Sequence, residues 1–337
     1  TYADMSEVDL VLGNAEKLTA SAYADFGQGA AERVRVNDIM SLRETAPQML
    51  DSFEGQTRAF LQVQNGCDHR CTFCVIPYGR GNSRSVPMGA AVEEARRLVA
   101  NGFAELVLTG VDLTSYGADL PGAPNLGKLA GKILKGVPEL KRLRLSSLDS
   151  IEADAGLMHL IAEEERLMPH FHLSVQSGDD MILKRMKRRH CRADTIDFCD
   201  RVRRLRPEAA FGADLIAGFP TESEEMFENS LKLIDDAGLS VLHVFPFSAR
   251  PHTPAAKIPP VPGAQIKARA ARLRAKGEAA LAARLASLTG SEQSLLVERN
   301  AIGRTPCFAP VRLSQAPEPG TIVTRRIINA EAGHLYA

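Results

Sequence analysis

Two features that often place a protein in a broad class are missing from this sequence. It contains no run of about eighteen or more apolar residues, the length that a helix needs to cross a bilayer, so we expect no membrane partner. The 41 Lys and Arg residues balance 41 Asp and Glu residues, so net charge gives no argument for a nucleic-acid partner. Such a partner must be argued from local basic patches.

Cysteine is also sparse, and its distribution is uneven. Six cysteines occur in 337 residues, and three of them, Cys67, Cys71 and Cys74, share one short loop. This clustering is unlike a disulfide framework. It favours a reducing compartment, the cytoplasm, where grouped cysteines more often bind metal or carry out chemistry. The other three have no ligand spacing and are expected to be small buried apolar side chains. They are Cys191, Cys199 and Cys307.

The spacing of the loop cysteines, C-x3-C-x2-C, supplies three thiolates and no fourth. A structural zinc site usually closes with four protein ligands, and a [4Fe–4S] cluster is usually held by four thiolates. Three thiolates can hold such a cluster and leave one iron open to a small chelating molecule. The alternatives are a zinc site completed by His69 and three unrelated buried thiols.

From residue 57 onward, segments typical of strands alternate with segments typical of helices. Six such units indicate an α/β fold with a parallel sheet, which right-handed crossovers curl into a barrel. Because six units are too few for a closed TIM barrel, we predict an open, partial (βα)6 TIM-like barrel over residues 57–289.

The sequence on either side of this barrel has a different character. Residues 290–337 alternate between apolar and polar and are punctuated by Gly and Pro, which predicts a small C-terminal antiparallel β-barrel. Residues 1–28 suggest a strand and then a helix from about 15 to 26, and residues 29–56 suggest a linker. We interpret residues 1–28 as the tail of an N-terminal domain that is largely missing from the sequence.

Glycine or polar residues follow the predicted strands, at the end of the barrel where βα barrels carry their chemistry. Gly110, Ser147 and Gln176 follow or end the second, third and fourth strands, Arg188 lies in the next helical segment, and Asp214 is on the fifth strand. An amide, a guanidinium and a carboxylate suit an amino acid attached to a ribose. The plainer interpretations are a turn glycine, a helix cap, a solvated basic face and a structural carboxylate.

The cysteine loop, with the aromatic Phe73 before its third cysteine, resembles the signature of the radical S-adenosylmethionine (SAM) enzymes. In that family a [4Fe–4S] cluster on three cysteines leaves one iron for the amino and carboxylate groups of SAM. The resemblance implies a cluster on Cys67, Cys71 and Cys74. It also implies SAM contacts from Phe73, Gly110, Ser147, Gln176, Arg188 and Asp214.

Longer segments narrow the resemblance to the radical SAM methylthiotransferase family, and within it to the MtaB type. The segments are 60–67, 74–85, 108–112, 173–178 and 245–255. The resemblance implies methylthiolation at C2 of N6-threonylcarbamoyladenosine, beside the anticodon of a tRNA. It implies that the C-terminal barrel is a TRAM domain, a module that binds tRNA.

The implied activity requires further components. The partners would be a tRNA anticodon stem-loop and an electron donor such as flavodoxin or ferredoxin. In this family a second [4Fe–4S] cluster, on three cysteines of an N-terminal domain, carries the sulfur, and Cys191, Cys199 and Cys307 cannot replace those ligands. We therefore expect one cluster in this chain. The alternatives are sister enzymes acting on isopentenyladenosine in tRNA or on a ribosomal-protein aspartate, and a non-catalytic tRNA- or metal-binding protein.

The metal content distinguishes these interpretations. We expect about four irons per chain after anaerobic reconstitution, because the cysteine loop suits a [4Fe–4S] cluster, and we expect Cys71→Ala to lose them. Iron and sulfide analysis measures this directly. One zinc per chain in place of iron would contradict the cluster.

Overall fold

The computed structural model describes residues 2–23, 32–42, 57–315 and 317–337. Its centre is an arc of six parallel strands that form two three-stranded sheets. Two isolated parallel bridges, Leu143 to Leu167 and Leu148 to Leu173, join the two sheets. The strands are β1 (Arg58–Gln62), β2 (Glu105–Thr109), β3 (Arg142–Leu145), β4 (His170–Gln176), β5 (Ala210–Ala217) and β6 (Leu239–Pro246). Among the described residues β1 and β6 do not pair with each other. The barrel is therefore open on one side, which confirms the prediction of a partial barrel.

Eight helices accompany the strands in the described part of the chain. They are α1 (Ile76–Arg80), α2 (Met88–Ala100), α3 (Leu126–Gly136), α4 (Ala155–Glu163), α5 (Asp180–Arg185), α6 (Arg192–Leu205), α7 (Glu224–Asp236) and α8 (Gly263–Ala286). Four of them begin at Asn125, Asp154, Asp179 and Ser223, whose side chains accept from a backbone N–H three residues on. Such caps satisfy donors that the first helical turn leaves unpaired. No described helix has the length and apolar character to cross a membrane.

Alternate residues of each strand face different surroundings. In β4, Phe171, Leu173 and Val175 belong to the hydrophobic core that includes the helices, whereas Ser174 and Gln176 line a pocket inside the barrel. Successive side chains of a strand point to opposite faces, so one face of the sheet packs against helices and the other lines the interior. The interior is where polar side chains can meet a ligand.

The C-terminal module consists of one six-stranded sheet. Its strands are β7 (Glu292–Val297), β8 (Ile302–Arg304), β9 (Pro310–Arg312), β10 (Ile322–Arg326), β11 (Asn329–Glu331) and β12 (His334–Tyr336). The sheet order is β10-β7-β8-β9-β12-β11. The two edge strands follow each other along the chain: Ile327 bonds to Ser291 and Ile328 to Tyr336, each through its N–H at 2.9 Å. This continuity closes the sheet into the expected barrel.

One pairing in the module differs from the prediction. Strands β9 and β12 run parallel, with Val311 opposite Leu335, so the barrel is not wholly antiparallel. Local alternation predicts strands but cannot predict which distant strand pairs with which, or in which direction.

A buried charged cluster joins this module to the amino ends of the barrel strands. Glu105 is fully buried, and its Oε1 lies 2.9 Å from Nε of Arg144 and 3.4 Å from Nε of Arg58. Both guanidinium groups also cover the ring of Phe308 from the module, at 4.9 and 4.7 Å from its centroid. Arg142 donates from Nη2 to the carbonyl oxygen of Ser294 at 2.7 Å. We call Arg58, Glu105, Arg142, Arg144 and Phe308 the amino-end cluster.

The first described residues depart from the predicted helix and linker. Residues Glu16–Leu18 and Ala20–Tyr23 form 3₁₀ turns instead of one α-helix, because Thr19 between them is extended and donates from Oγ1 to the carbonyl oxygen of Glu16. Strand Val34–Arg35, in the predicted linker, pairs in parallel with Val11–Leu12. Residues 24–31 and 43–56 lie outside the described residues.

The amino-end cluster makes a stability prediction. Glu105→Gln removes the carboxylate that pairs with the buried Arg142 and Arg144, and we expect the free energy of unfolding to fall by about 3 kcal/mol. Glu93→Gln is the control, because Glu93 is 70% exposed beside Arg96 and an exposed pair contributes at most about 1 kcal/mol. Urea unfolding of the apoprotein measures both, and equal losses would contradict the role of the cluster.

Candidate active site

The cysteine loop is closed at its base by a short strand pair. The chain leaves β1 through Gln64–Asn65, which pairs antiparallel with Arg84–Ser85 where the loop returns. Gly66 has a φ of +74°, and a Cβ there would lie 1.9 Å from the carbonyl oxygen of Asn82, so this position requires glycine. The loop is thus held at the carboxyl end of β1.

A buried amide fixes the loop to the next strand. The side chain of Gln64 donates from Nε2 to the carbonyl oxygen of Gly66 at 2.8 Å and accepts at Oε1 from the backbone N–H of Asp112 at 2.8 Å. Gln64 is fully buried, so both bonds are shielded from water. It is not among the predicted site residues, because alternation alone does not distinguish a buried amide from an exposed one.

The three loop cysteines line one pocket at the carboxyl ends of the strands. All are free thiols; Cys71 is buried, and Cys67 and Cys74 are half-buried. Four predicted SAM contacts line the same pocket. They are Phe73, Ser147, Gln176 and Arg188. The structure brings these residues together with the cysteines, and their contact with SAM stays a prediction.

The other two predicted SAM contacts, Gly110 and Asp214, do not line this pocket, so the structure does not place them with the other four. A Cβ at Gly110 would lie 2.8 Å from Oε1 of Gln64, so the glycine makes room for protein atoms. Asp214 lies between two histidines, with its Oδ1 2.8 Å from Nε2 of His172 and 3.1 Å from Nδ1 of His243. Sequence position near a strand end did not reveal either partner.

Arg188 is held in place by a buried carboxylate. Its Nη2 donates to Oδ2 of Asp149 at 2.8 Å and to the carbonyl oxygen of Ser174 at 2.7 Å. Its Nη1 lies 3.7 Å from Sγ of Cys71. The side chains of Arg188 and Asp149 are only 8% and 5% exposed. Arg188 therefore links the ends of β3 and β4 to the cysteine loop.

A second charged pair, His69 and Asp112, lines the same pocket. Nε2 of His69 lies 3.1 Å from Oδ2 of Asp112. Hydrogen bonds to Asp112 and Cys71 raise the pKa of His69 to about 10. The sequence analysis names His69 only as a possible zinc ligand and does not predict Asp112 as a site residue. The available signal for Asp112 was its place directly after β2.

The loop thiols differ in how easily they ionise. Burial and the charge of Asp112 raise the pKa of Cys67 to about 12, and burial raises the pKa of Cys74. Burial also acts on Cys71, but the hydrogen bond from His69 and the charge of Arg188 outweigh it, so its pKa lies below the ordinary value. Cys71 has the surroundings that best favour the thiolate form needed for metal binding.

The donor set fits an iron–sulfur cluster better than a zinc ion. Three soft sulfur ligands come from one loop. His69, the candidate fourth zinc ligand, is engaged by Asp112 and Cys71. The pocket thus offers three sulfur ligands, with a cation, an amide and a hydroxyl beside them for a molecule at the remaining iron.

Comparison with known families agrees with this geometry. The profile of the radical SAM superfamily matches residues 61–234. The chain belongs to the radical SAM superfamily. Members of this superfamily bind a [4Fe–4S] cluster and SAM. The matched segment contains the end of β1, the cysteine loop and strands β2 to β5.

Curated relatives place this radical SAM protein among the methylthiotransferases. Threonylcarbamoyladenosine tRNA methylthiotransferase MtaB of Rickettsia prowazekii is 54% identical over 334 residues, which cover 99% of this chain and 78% of that protein. MtaB of Aquifex aeolicus is 39% identical, covering 80% of this chain and 66% of that one. The tRNA-2-methylthio-N(6)-dimethylallyladenosine synthase of Novosphingobium aromaticivorans is 40% identical, covering 81% and 63%. The chain therefore spans about two thirds of the length of most relatives named here.

Among solved structures, the radical SAM methyltransferase TsrM of Kitasatospora setae superposes with a TM-score of 0.49 and 18% identity. The match covers 58% of this chain and 38% of that one. This likeness is too distant to add to the argument.

The position of Arg188 makes a prediction about SAM binding. Arg188→Met removes a charged hydrogen-bond donor from the pocket and takes from Asp149 the nearer of its two ion-pair partners, Arg188 and His190, so we expect SAM affinity to fall at least about tenfold. Arg201→Met is the control, because Arg201 is exposed and pairs with the exposed Asp197 on the same helix, α6. Equilibrium dialysis with the reconstituted protein measures the affinity, and iron analysis checks that the cluster is retained. Unchanged affinity in Arg188→Met would exclude Arg188 from the SAM site.

Proposed function

We propose that this chain provides the radical-generating part of a tRNA methylthiotransferase that acts at C2 of N6-threonylcarbamoyladenosine. The observation that supports it most is the three-cysteine pocket, found in a chain 54% identical to a protein named for that activity. The second candidate is the isopentenyl-type substrate, which the Novosphingobium relative favours through its name. Its lower identity and smaller coverage make it the weaker choice.

The chemistry supplied by the bound groups would be one-electron cleavage of SAM, which yields a 5′-deoxyadenosyl radical able to take hydrogen from adenine C2. The residues of the chain would bind the cluster and SAM and shield the radical from water. Cys67, Cys71 and Cys74 would hold the cluster, and Gln176 would bind polar groups of SAM. Arg188, held by Asp149 and Ser174, would keep positive charge beside Cys71 and the SAM carboxylate.

The surroundings of the pocket suit an RNA substrate. Basic residues lie close along the chain to the residues that line the pocket, and most of them are exposed. They are Arg70, Arg80, Arg185, Lys187 and Arg189. Such cations can meet the phosphates of a tRNA anticodon stem-loop. The C-terminal barrel, which we propose is a TRAM module, adds exposed basic residues. They are Arg299, Arg312, Arg325 and Arg326.

Sulfur transfer places a further demand on the system. We propose that it needs a second [4Fe–4S] cluster, and an electron donor such as flavodoxin or ferredoxin. The remaining cysteines do not offer a second site: Cys199 lies inside α6 and Cys307 in the C-terminal module, both buried, and Cys191 precedes α6. The ligands of that cluster would have to come from residues other than these.

Two measurements test the proposal. The reconstituted, reduced chain should convert SAM to 5′-deoxyadenosine without forming methylthiolated RNA, because it holds cysteines for one cluster only. Liquid chromatography with mass spectrometry detects both products, and Cys71→Ala serves as the inactive control. Methylthiolated RNA from this chain alone would contradict the need for a second cluster.

The substrate is tested in a deletion strain. Its tRNA should lose the methylthio group from threonylcarbamoyladenosine and keep the one on isopentenyladenosine, as nucleoside mass spectrometry would show. The reverse pattern would favour the second candidate.

A further inference from the structure

A second polar group lies inside the barrel, outside the cysteine pocket. It consists of His172 on β4, Asp214 on β5 and His243 on β6, and we call it the His–Asp–His group. The two histidine nitrogens lie 2.8 and 3.1 Å from the same oxygen of Asp214, and the two rings have centroids 4.5 Å apart. None of these residues lines the cysteine pocket, so the contacts within that pocket do not explain the group.

The carboxylate sets the orientation of both rings. An ionised carboxylate accepts hydrogen bonds and cannot donate them, so Nε2 of His172 and Nδ1 of His243 both donate to Asp214. With its proton on Nδ1, a neutral His243 presents Nε2 as an acceptor. The side chain of His243 is 58% exposed, whereas that of His172 is 10% exposed. His172 and Asp214 therefore hold the ring of His243 in place, and His243 is the member of the group that a ligand can reach.

The strand register and a glycine position these three side chains in the absence of a ligand. Asp214 lies directly opposite His243 in the register of β5 and β6. A Cβ at Gly212 would lie 2.5 Å from Nδ1 of His172, so the absence of a side chain at Gly212 gives the ring its place. A side chain fixed by neighbours in this way loses little freedom when it binds a ligand.

The His–Asp–His group lies beside strands β5 and β6, which contribute no side chain to the cysteine pocket. Side chains from β4, from the segments after β1, β2 and β3, and from Arg188 line that pocket, whereas His243 is on the edge strand β6, which pairs with β5. Phe245, the next residue on the same face of β6, is 50% exposed. An exposed aromatic ring beside a hydrogen-bonding imidazole is suited to an unstacked nucleobase.

We propose that this part of the barrel receives the adenosine to be modified, and that Nε2 of His243 accepts a hydrogen bond from its N6 substituent. The inference rests on the proposed function and adds the residue that determines specificity. A threonylcarbamoyl group carries N–H and hydroxyl donors, whereas an isopentenyl chain has none. Asp214 is then a positioning residue that fixes the tautomer and orientation of His243.

The test compares RNA affinities of the reconstituted chain. Three anticodon stem-loops are used, which differ only in the target nucleoside: threonylcarbamoyladenosine, isopentenyladenosine or adenosine. Fluorescence anisotropy measures their affinities for the unaltered chain, His243→Leu and His243→Gln. His159→Gln is the matched control, because His159 is an exposed histidine on α4.

The unaltered chain should prefer the threonylcarbamoyl RNA over the isopentenyl RNA. His243→Leu should reduce that preference about tenfold, the value of one hydrogen bond, with little change for the adenosine RNA. His243→Gln keeps an acceptor and should retain part of the preference, and His159→Gln should retain all of it. An undiminished preference in His243→Leu, or no preference in the unaltered chain, would overturn the inference.

Two further readouts separate this inference from its alternatives. Deuterium placed at adenine C2 should appear in 5′-deoxyadenosine, and its absence would overturn the proposed function even if the RNA preference were present. Two histidines and a carboxylate also form a possible divalent metal site. Zinc or iron bound beyond the cluster iron and lost in His243→Leu would show a metal site instead and overturn the inference.

Discussion

The ion pair of Arg188 and Asp149 connects the parts on which the candidate active site depends. Asp149 follows β3, the backbone of Ser174 belongs to β4, and Cys71 lies in the loop after β1; Arg188 reaches all three. Loss of one partner from a buried pair leaves the other charge uncompensated, which costs several kcal/mol, about 3–5. The surroundings of the cysteines are therefore set by tertiary structure as much as by the loop itself.

The barrel interior is polar over much of its height. Apolar layers fill the interior of a closed TIM barrel, whereas this one contains the amino-end cluster, the His–Asp–His group and the cysteine pocket in turn. Each set of polar groups finds partners within the interior, so few charges remain uncompensated. An open barrel with such an interior can admit a polar ligand as large as a nucleoside through its mouth or its open side.

Sequence patterns were sufficient for the barrel and the cysteine loop, because both depend on local order along the chain. The alternation of strand-like and helix-like segments predicted the order of the barrel elements. The contacts of Gly110 and Asp214 could not be predicted from local sequence, since they depend on which strands are neighbours and in what register. For the same reason the sequence did not reveal Gln64, whose side chain bonds to the backbone N–H of Asp112 in the segment after β2.

The C-terminal module and the cysteine pocket lie at opposite ends of the same strands. The amino-end cluster fastens the module beneath β1–β3, so no flexible connection determines its distance from the pocket. A strand such as β5, with eight residues, spans about 26 Å at ~3.3 Å per residue. The barrel thus keeps the C-terminal module and the cysteine pocket at a fixed separation. Because barrel strands are tilted relative to the barrel axis, an RNA that contacts both ends must extend along the outside of the barrel by less than that length, which limits how far any nucleotide can lie from the module and still reach the pocket.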